Sequence, residues 1–163
     1  MICDLKDLFS LQEELDLQIA SNHHITYQNT RNKRIVALLV ELGEFANTTR
    51  TFKFWSNKGQ EDKNIVLDEF ADGLHFLLSL GIDLSYIIDN INVEDDDKTL
   101  TDNLLETYSL ISDFAKDQNK DNYLKMFTSY LRALYKIGYG FDEAKEAYYI
   151  KCKINHKRQE NNY

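Results

Sequence analysis

The sequence predicts an all-α fold, a bundle of six or seven helices. Three observations carry that expectation. The 163 residues contain no proline and only six glycines, a poor stock for a turn-rich β domain and a good one for helices joined by short polar links. Apolar residues recur at helical spacing along nearly the whole chain. No internal repeat, low-complexity tract or long linker divides it, so residues 1–163 read as a single domain. At 43% hydrophobic residues, that domain can bury an ordinary core.

The first helix is expected over about 5–20, with Leu5, Leu8, Leu11, Leu15 and Ile19 as its stripe. A polar break over 21–32 follows, in which His23 and His24 read as solvated side chains. A second helix spans about 32–49 and a third about 62–80, stopping near Gly81. The loop between them carries FKFWSNKG. Asp83 is expected to cap a short fourth segment, LSYIIDNI, and VEDDDKTLTD reads as a charged, solvated loop, since it lacks the glycine and ligand spacing of a calcium loop. Thr101 opens a fifth helix with Leu104, Leu105, Tyr108, Ile111, Ser112 and Ala115 on one side. A sixth covers 123–137 and ends at Gly138 and Gly140. The last begins at Asp142 or its neighbour and reaches about Gln159, with Ala147, Ile150 and Ile154 as its core stripe.

Charge and cysteine usage exclude several function classes. Nineteen Lys and Arg against 27 Asp and Glu leave a net charge of -8, which argues against a DNA- or RNA-gripping protein. Cys3 and Cys152 stand at opposite ends without metal-ligand spacing, so neither a disulfide framework nor a zinc site is expected. No segment has the run of about 18 apolar residues of a membrane span, and the first residues lack a signal-peptide core. A cytoplasmic protein away from membranes is the reading.

The informative residues are acids in apolar places. With 27 acids, about four pairs spaced i, i+3 arise by chance, so a bare ExxE means little. Two pairs stand out by context: Glu41 and Glu44 inside ALLVELGEFA, and Glu69 and Asp72 inside IVLDEFADGLHFLL. On helices, Leu38, Glu41 and Phe45 share a face with Glu44 one step round, and Ile65, Glu69, Asp72 and Phe76 share another. Ionised carboxylates placed where a core should be need compensation. Boundary salt bridges would explain either pair alone; both pairs on successive helices point to a divalent cation with oxygen ligands, such as Mg²⁺ with substrate phosphates. A di-iron site would need two ExxH motifs, and the chain offers only Asp72 to His75.

A complement lies on the last helix, where Tyr148, Lys151, Asn155 and Arg158 form a line. Its two cations suit phosphate oxygens and its asparagine suits an amide edge such as a pyrimidine's. Trp55, the only tryptophan, sits between Lys53 and Lys58, where it could wall a base pocket.

With these pieces assembled, the chain resembles the dimeric all-α dUTP diphosphatases of the all-α nucleotide pyrophosphohydrolase superfamily. The resemblance rests on LQEELD, ELGEF, FKFW, DEFADGLHF and AYYIKCKINHKRQ, in the family's order. It implies hydrolysis of dUTP to dUMP and pyrophosphate, with Glu41, Glu44, Glu69 and Asp72 binding two or three Mg²⁺ and Glu44 or Glu41 activating water. Gln12, Trp55 and Asn155 would define the uracil pocket, and Asp72 and His75 would lie near the sugar. Phe76 would exclude a ribose 2′-hydroxyl, and Lys151 and Arg158 would neutralise phosphate charge. It also implies a homodimer whose subunits share pockets and, for a phage-type member, a repressor protein as partner. The region 82–136 matches no motif. Competing readings are a related enzyme for another nucleotide such as dCTP, told apart at Gln12, Trp55 and Asn155, and a non-catalytic helical protein-binding regulator.

Overall fold

The computed structural model describes residues 1–161 and 163. Its elements, in order, are β1 (Ile2–Asp4), α1 (Lys6–His23), α2 (Tyr27–Thr49), α3 (Lys63–Asp83), β2 (Asn90–Asn92), α4 (Leu100–Lys116), α5 (Lys120–Ile137) and α6 (Phe141–Glu160). The all-α expectation holds, with six helices among the described residues. The exception is a small antiparallel ribbon in which Ile2, Cys3 and Asp4 pair with Asn92, Ile91 and Asn90. Cys3 and Cys152 are buried and unpaired.

Local chemistry sets the helix starts. Thr26 Oγ1 accepts from the Asn29 amide at 3.2 Å while Asn29 Oδ1 accepts from the Thr26 amide at 3.0 Å. This reciprocal cap starts α2 at Tyr27, five residues before the expected start, so the polar break shrinks to a short turn. Thr99 caps α4 and Asn119 caps α5 in the same manner. Gly138, at φ 76°, ends α5 in the left-handed conformation a glycine tolerates.

Three other expectations need correction. Residues 84–91 form no helix: the chain turns after Asp83 and enters β2. Helix α3 does not stop at Gly81 but runs through it, because that glycine makes room for a neighbour. A Cβ at Gly81 would lie 2.2 Å from the Tyr123 hydroxyl, and one at Gly73 would lie 2.1 Å from that of Tyr130. Both hydroxyls donate to α3 carbonyls, Tyr123 to Leu77 O at 2.9 Å and Tyr130 to Phe70 O at 2.7 Å. The 82–136 region thus props α3 from below.

The third correction concerns which faces are buried. On α4 the fold buries Asn103, Leu104, Thr107, Ile111 and Phe114, while Leu105, Ser112 and Ala115 are exposed. The donors of this polar pair are met internally: the Asn103 amide nitrogen donates to Ser129 O at 3.2 Å and Thr107 Oγ1 donates to Asn103 O at 2.7 Å, while Asn103 Oδ1 is buried without a partner. On α6, Tyr148, Lys151 and Cys152 face inward, whereas Ile150 and Ile154 are exposed. The first half of the line expected to be polar is packed, because the Tyr148 hydroxyl and the Lys151 ammonium find partners on α1 and α3. Among the described residues, no helix is long and apolar enough to cross a membrane.

Candidate active site

Helices α2 and α3 bring the two acid pairs to one place. Ligand oxygens from Glu41, Glu69 and Asp72 all lie within 4.8 Å of one another. Glu44 sits at the edge, exposed, in a depression it shares with Val40, Asn47, Thr48 and Glu69. Beneath this group is an aromatic floor: Phe45 meets Phe70 edge-on at 5.4 Å, and Phe70 lies 4.7 Å from Tyr130. The i, i+3, i+7 spacing of Leu38, Glu41 and Phe45 puts both apolar residues in the core and holds Glu41 half-buried between them.

The electrostatics follow from that placement. Burial first, then the charges of Asp72, Glu44 and Glu69, push the Glu41 carboxyl up to about 7. Glu69 is raised by burial and by Glu44 and Asp72, and Asp72 by burial against the opposing pull of Lys151. One oxygen, Glu41 Oε2, is buried without any hydrogen-bond partner. An orphaned acceptor among crowded carboxylates fits a hard divalent cation, which takes oxygen donors and removes the repulsion. Among the described residues no histidine joins the group, and His75 Nδ1 is engaged by Gln12 Oε1 of α1 instead.

Lys151 is the local counter-charge. Only 7% exposed, it donates to Asp72 Oδ2 at 2.7 Å and to Asp68 Oδ2 at 2.8 Å. Asp68 went unread in the sequence, although its i, i+4 spacing to Asp72 was a usable signal. Arg158 is exposed, donates to Asn155 Oδ1 at 3.2 Å, and its charge reaches Asp72.

Next to the acids lies a cavity of about 460 Å³, lined by Gln12, His75, Phe76 and Asn155 together with apolar side chains such as Leu15 and Ile19. Four of the expected substrate residues therefore meet. Gln12 is buried: its amide nitrogen donates to Asp16 Oδ1 at 2.8 Å, and its oxygen accepts from Tyr148 at 3.0 Å. That fixes the amide, so the 2.6 Å contact of Gln12 Oε1 with His75 Nδ1 makes Nδ1 the protonated nitrogen. Burial, with Lys151 and His156 nearby, pushes His75 down to about 3, so the ring is neutral and leaves Nε2 an unpartnered acceptor. Asp16 also accepts from Ser79 at 2.7 Å and Tyr27 at 3.2 Å. The sequence reading missed it, though it lies one turn from Gln12 on the same face.

Trp55 is the residue the chain does not bring in. It lines none of this cavity and is 65% exposed beside Phe54, at 92%. The two rings meet edge-on at 5.0 Å on the loop after α2.

A protein-family model described as dUTPase matches residues 4–163, nearly the whole chain. No curated protein matches it.

Proposed function

The chain belongs to the dUTPase family and is a dUTP diphosphatase, and from that premise we propose how its residues divide the work over one domain spanning residues 1–163. Glu41, Glu44, Glu69 and Asp72 hold two or three Mg²⁺. The observation that carries this is the three-carboxylate group with its orphaned Glu41 oxygen. What Mg²⁺ supplies when bound there is charge: it offsets the carboxylates, draws charge from the triphosphate and makes water more acidic.

The chain's own groups do the rest. Glu44 or Glu41 accepts the proton of the attacking water. Lys151 and Arg158 meet phosphate oxygens. Gln12, His75, Phe76 and Asn155 hold the deoxynucleoside in the adjoining cavity, where Gln12 has one amide hydrogen left to donate and Asn155 has an amide edge. Phe76 packs against the sugar and excludes a ribose 2′-hydroxyl.

The remaining member of the uracil pocket, Trp55, acts across a homodimer, from one subunit's loop into the partner's pocket. Its exposure supports this, as do the exposed Val40, Ile65 and Ile150 flanking the acids, an apolar border that a second copy would cover. Pyrophosphate release from dUTP, with dCTP, dTTP and UTP in parallel and with or without EDTA, tests the assignment. Turnover of dUTP alone, abolished by EDTA, is expected. Activity that survives EDTA would overturn the metal role, and activity spread over the other nucleotides would overturn the pocket.

A further inference from the structure

The ammonium of Lys151 sits in a place that its role as a phosphate contact does not explain. It is nearly sealed between α3 and α6 and spends two of its three donors on carboxylates of α3, Asp72 and Asp68, at almost equal distances. Asp72 belongs to the carboxylate group that suits a cation; Asp68 does not, and its side chain is half-exposed, 47% against 23% for Asp72. A cation held by Glu41, Glu69 and Asp72 would share the Asp72 carboxylate with the Lys151 ammonium, and two positive charges that close repel. The ammonium then gives way at Asp72, and the geometry shows where it goes.

We infer that Lys151 is a built-in counter-ion for the metal-free site, and that Asp68 is the positioning residue that retains it when Asp72 is claimed. This rests on the reading of Asp72 as a metal ligand. Released from Asp72 but tethered at Asp68, the ammonium has donors free for the triphosphate. Metal alone has to displace Lys151 and binds weakly; nucleotide gives the displaced ammonium a new anionic partner. Metal and nucleotide binding are therefore coupled through one side chain, and the coupling is reciprocal. Asp68 touches neither ligand.

The test titrates Mg²⁺ into the nucleotide-free full-length protein by calorimetry, then titrates α,β-imido-dUTP in saturating Mg²⁺. In Lys151→Met, Mg²⁺ affinity is expected to rise about tenfold while affinity for the nucleotide analogue falls about tenfold. Opposite signs mark the counter-ion; a purely structural loss lowers both. Asp68→Asn, on a half-exposed side chain, is expected to raise KM for dUTP about threefold at unchanged kcat, and to have no effect on KM in the Lys151→Met background. Unchanged or weakened Mg²⁺ binding in Lys151→Met overturns the counter-ion role. A KM effect of Asp68→Asn that persists without Lys151 overturns the tether. Asp72→Asn separates the premise: if it leaves Mg²⁺ affinity intact, Asp72 is no ligand and the reading of the site fails first.

Discussion

Asp83 and Glu41 are two carboxylates that the fold takes largely out of water, and the chain treats them in opposite ways. Asp83, at the end of α3, accepts from Arg31 at 2.6 and 2.7 Å and from Arg34 at 2.7 Å. Arg34 is itself completed by the carbonyls of Tyr27 and Ser79. Burial works against the charged form of Asp83, yet the two guanidinium groups hold it below its ordinary value. Glu41 has three other acids for neighbours, no cation of its own, and an oxygen with nothing to bind. Asp83 is neutralised within the chain, and Glu41 is left without a counter-charge. The contrast gives the acid cluster its meaning, since the same sequence demonstrably knows how to neutralise a buried acid.

The comparison breaks most visibly at Glu41. Glu41→Gln is expected to lower kcat by roughly a thousandfold while raising the Tm of the metal-free protein, because it removes a repelling charge; an unaltered rate would remove Glu41 from the chemistry. At Asp83 the trade reverses. Asp83→Asn should leave two partly buried arginines short of a partner and cost about 3 kcal/mol in urea unfolding. Added Mg²⁺ sharpens the difference. At a hundred times its Kd it is expected to stabilise the parent by about 2.7 kcal/mol, and to do nothing for Glu41→Gln combined with Asp72→Asn.

The smallest effect is in pH. Glu41 is raised, so its contribution to stability is complete below its ordinary value of 4.5 and is lost as pH rises through about 7. Asp83 is lowered, so its contribution is complete above its ordinary 3.8 and is lost as pH falls through the folded value. Tm measured in EDTA across pH should therefore decline on both sides. Glu41→Gln should flatten only the upper decline, and Asp83→Asn only the lower one.

The acid cluster was legible in the sequence because charge in an apolar stripe violates a strong expectation, and a violation on two successive helices is hard to produce by accident. The helix count was legible for the same reason, since a period of 3.6 survives over long segments. What was not legible depended on partners distant in sequence. Lys151 and Tyr148 read as part of a ligand-facing line, and their burial depends on Asp72, Asp68 and Gln12 from other helices. Asn103 and Thr107 looked less buriable than Leu105 until Ser129 met the Asn103 amide nitrogen and the Thr107 hydroxyl. The ribbon of β1 and β2 joins segments about 90 residues apart by backbone bonds, which side-chain periodicity does not encode. Trp55 was legible as unusual, but composition does not say that its ring stays exposed on the loop after α2.

The two glycines that admit tyrosine hydroxyls into α3 act as detents on a rod. Gly73 and Gly81 are eight residues apart, about 12 Å along the axis, and each notch is filled by a ring from α5. A helix indexed at two points can neither slide nor turn without expelling an aromatic side chain. Asp72 is adjacent to the first notch and Glu69 is one turn before it. The aim of both carboxylates is therefore set from the opposite helix, by residues that never meet a ligand. A one-residue deletion between the notches would rotate one end of α3 by about 100° relative to the other, so the segment 74–80 should tolerate conservative substitution better than any change in length.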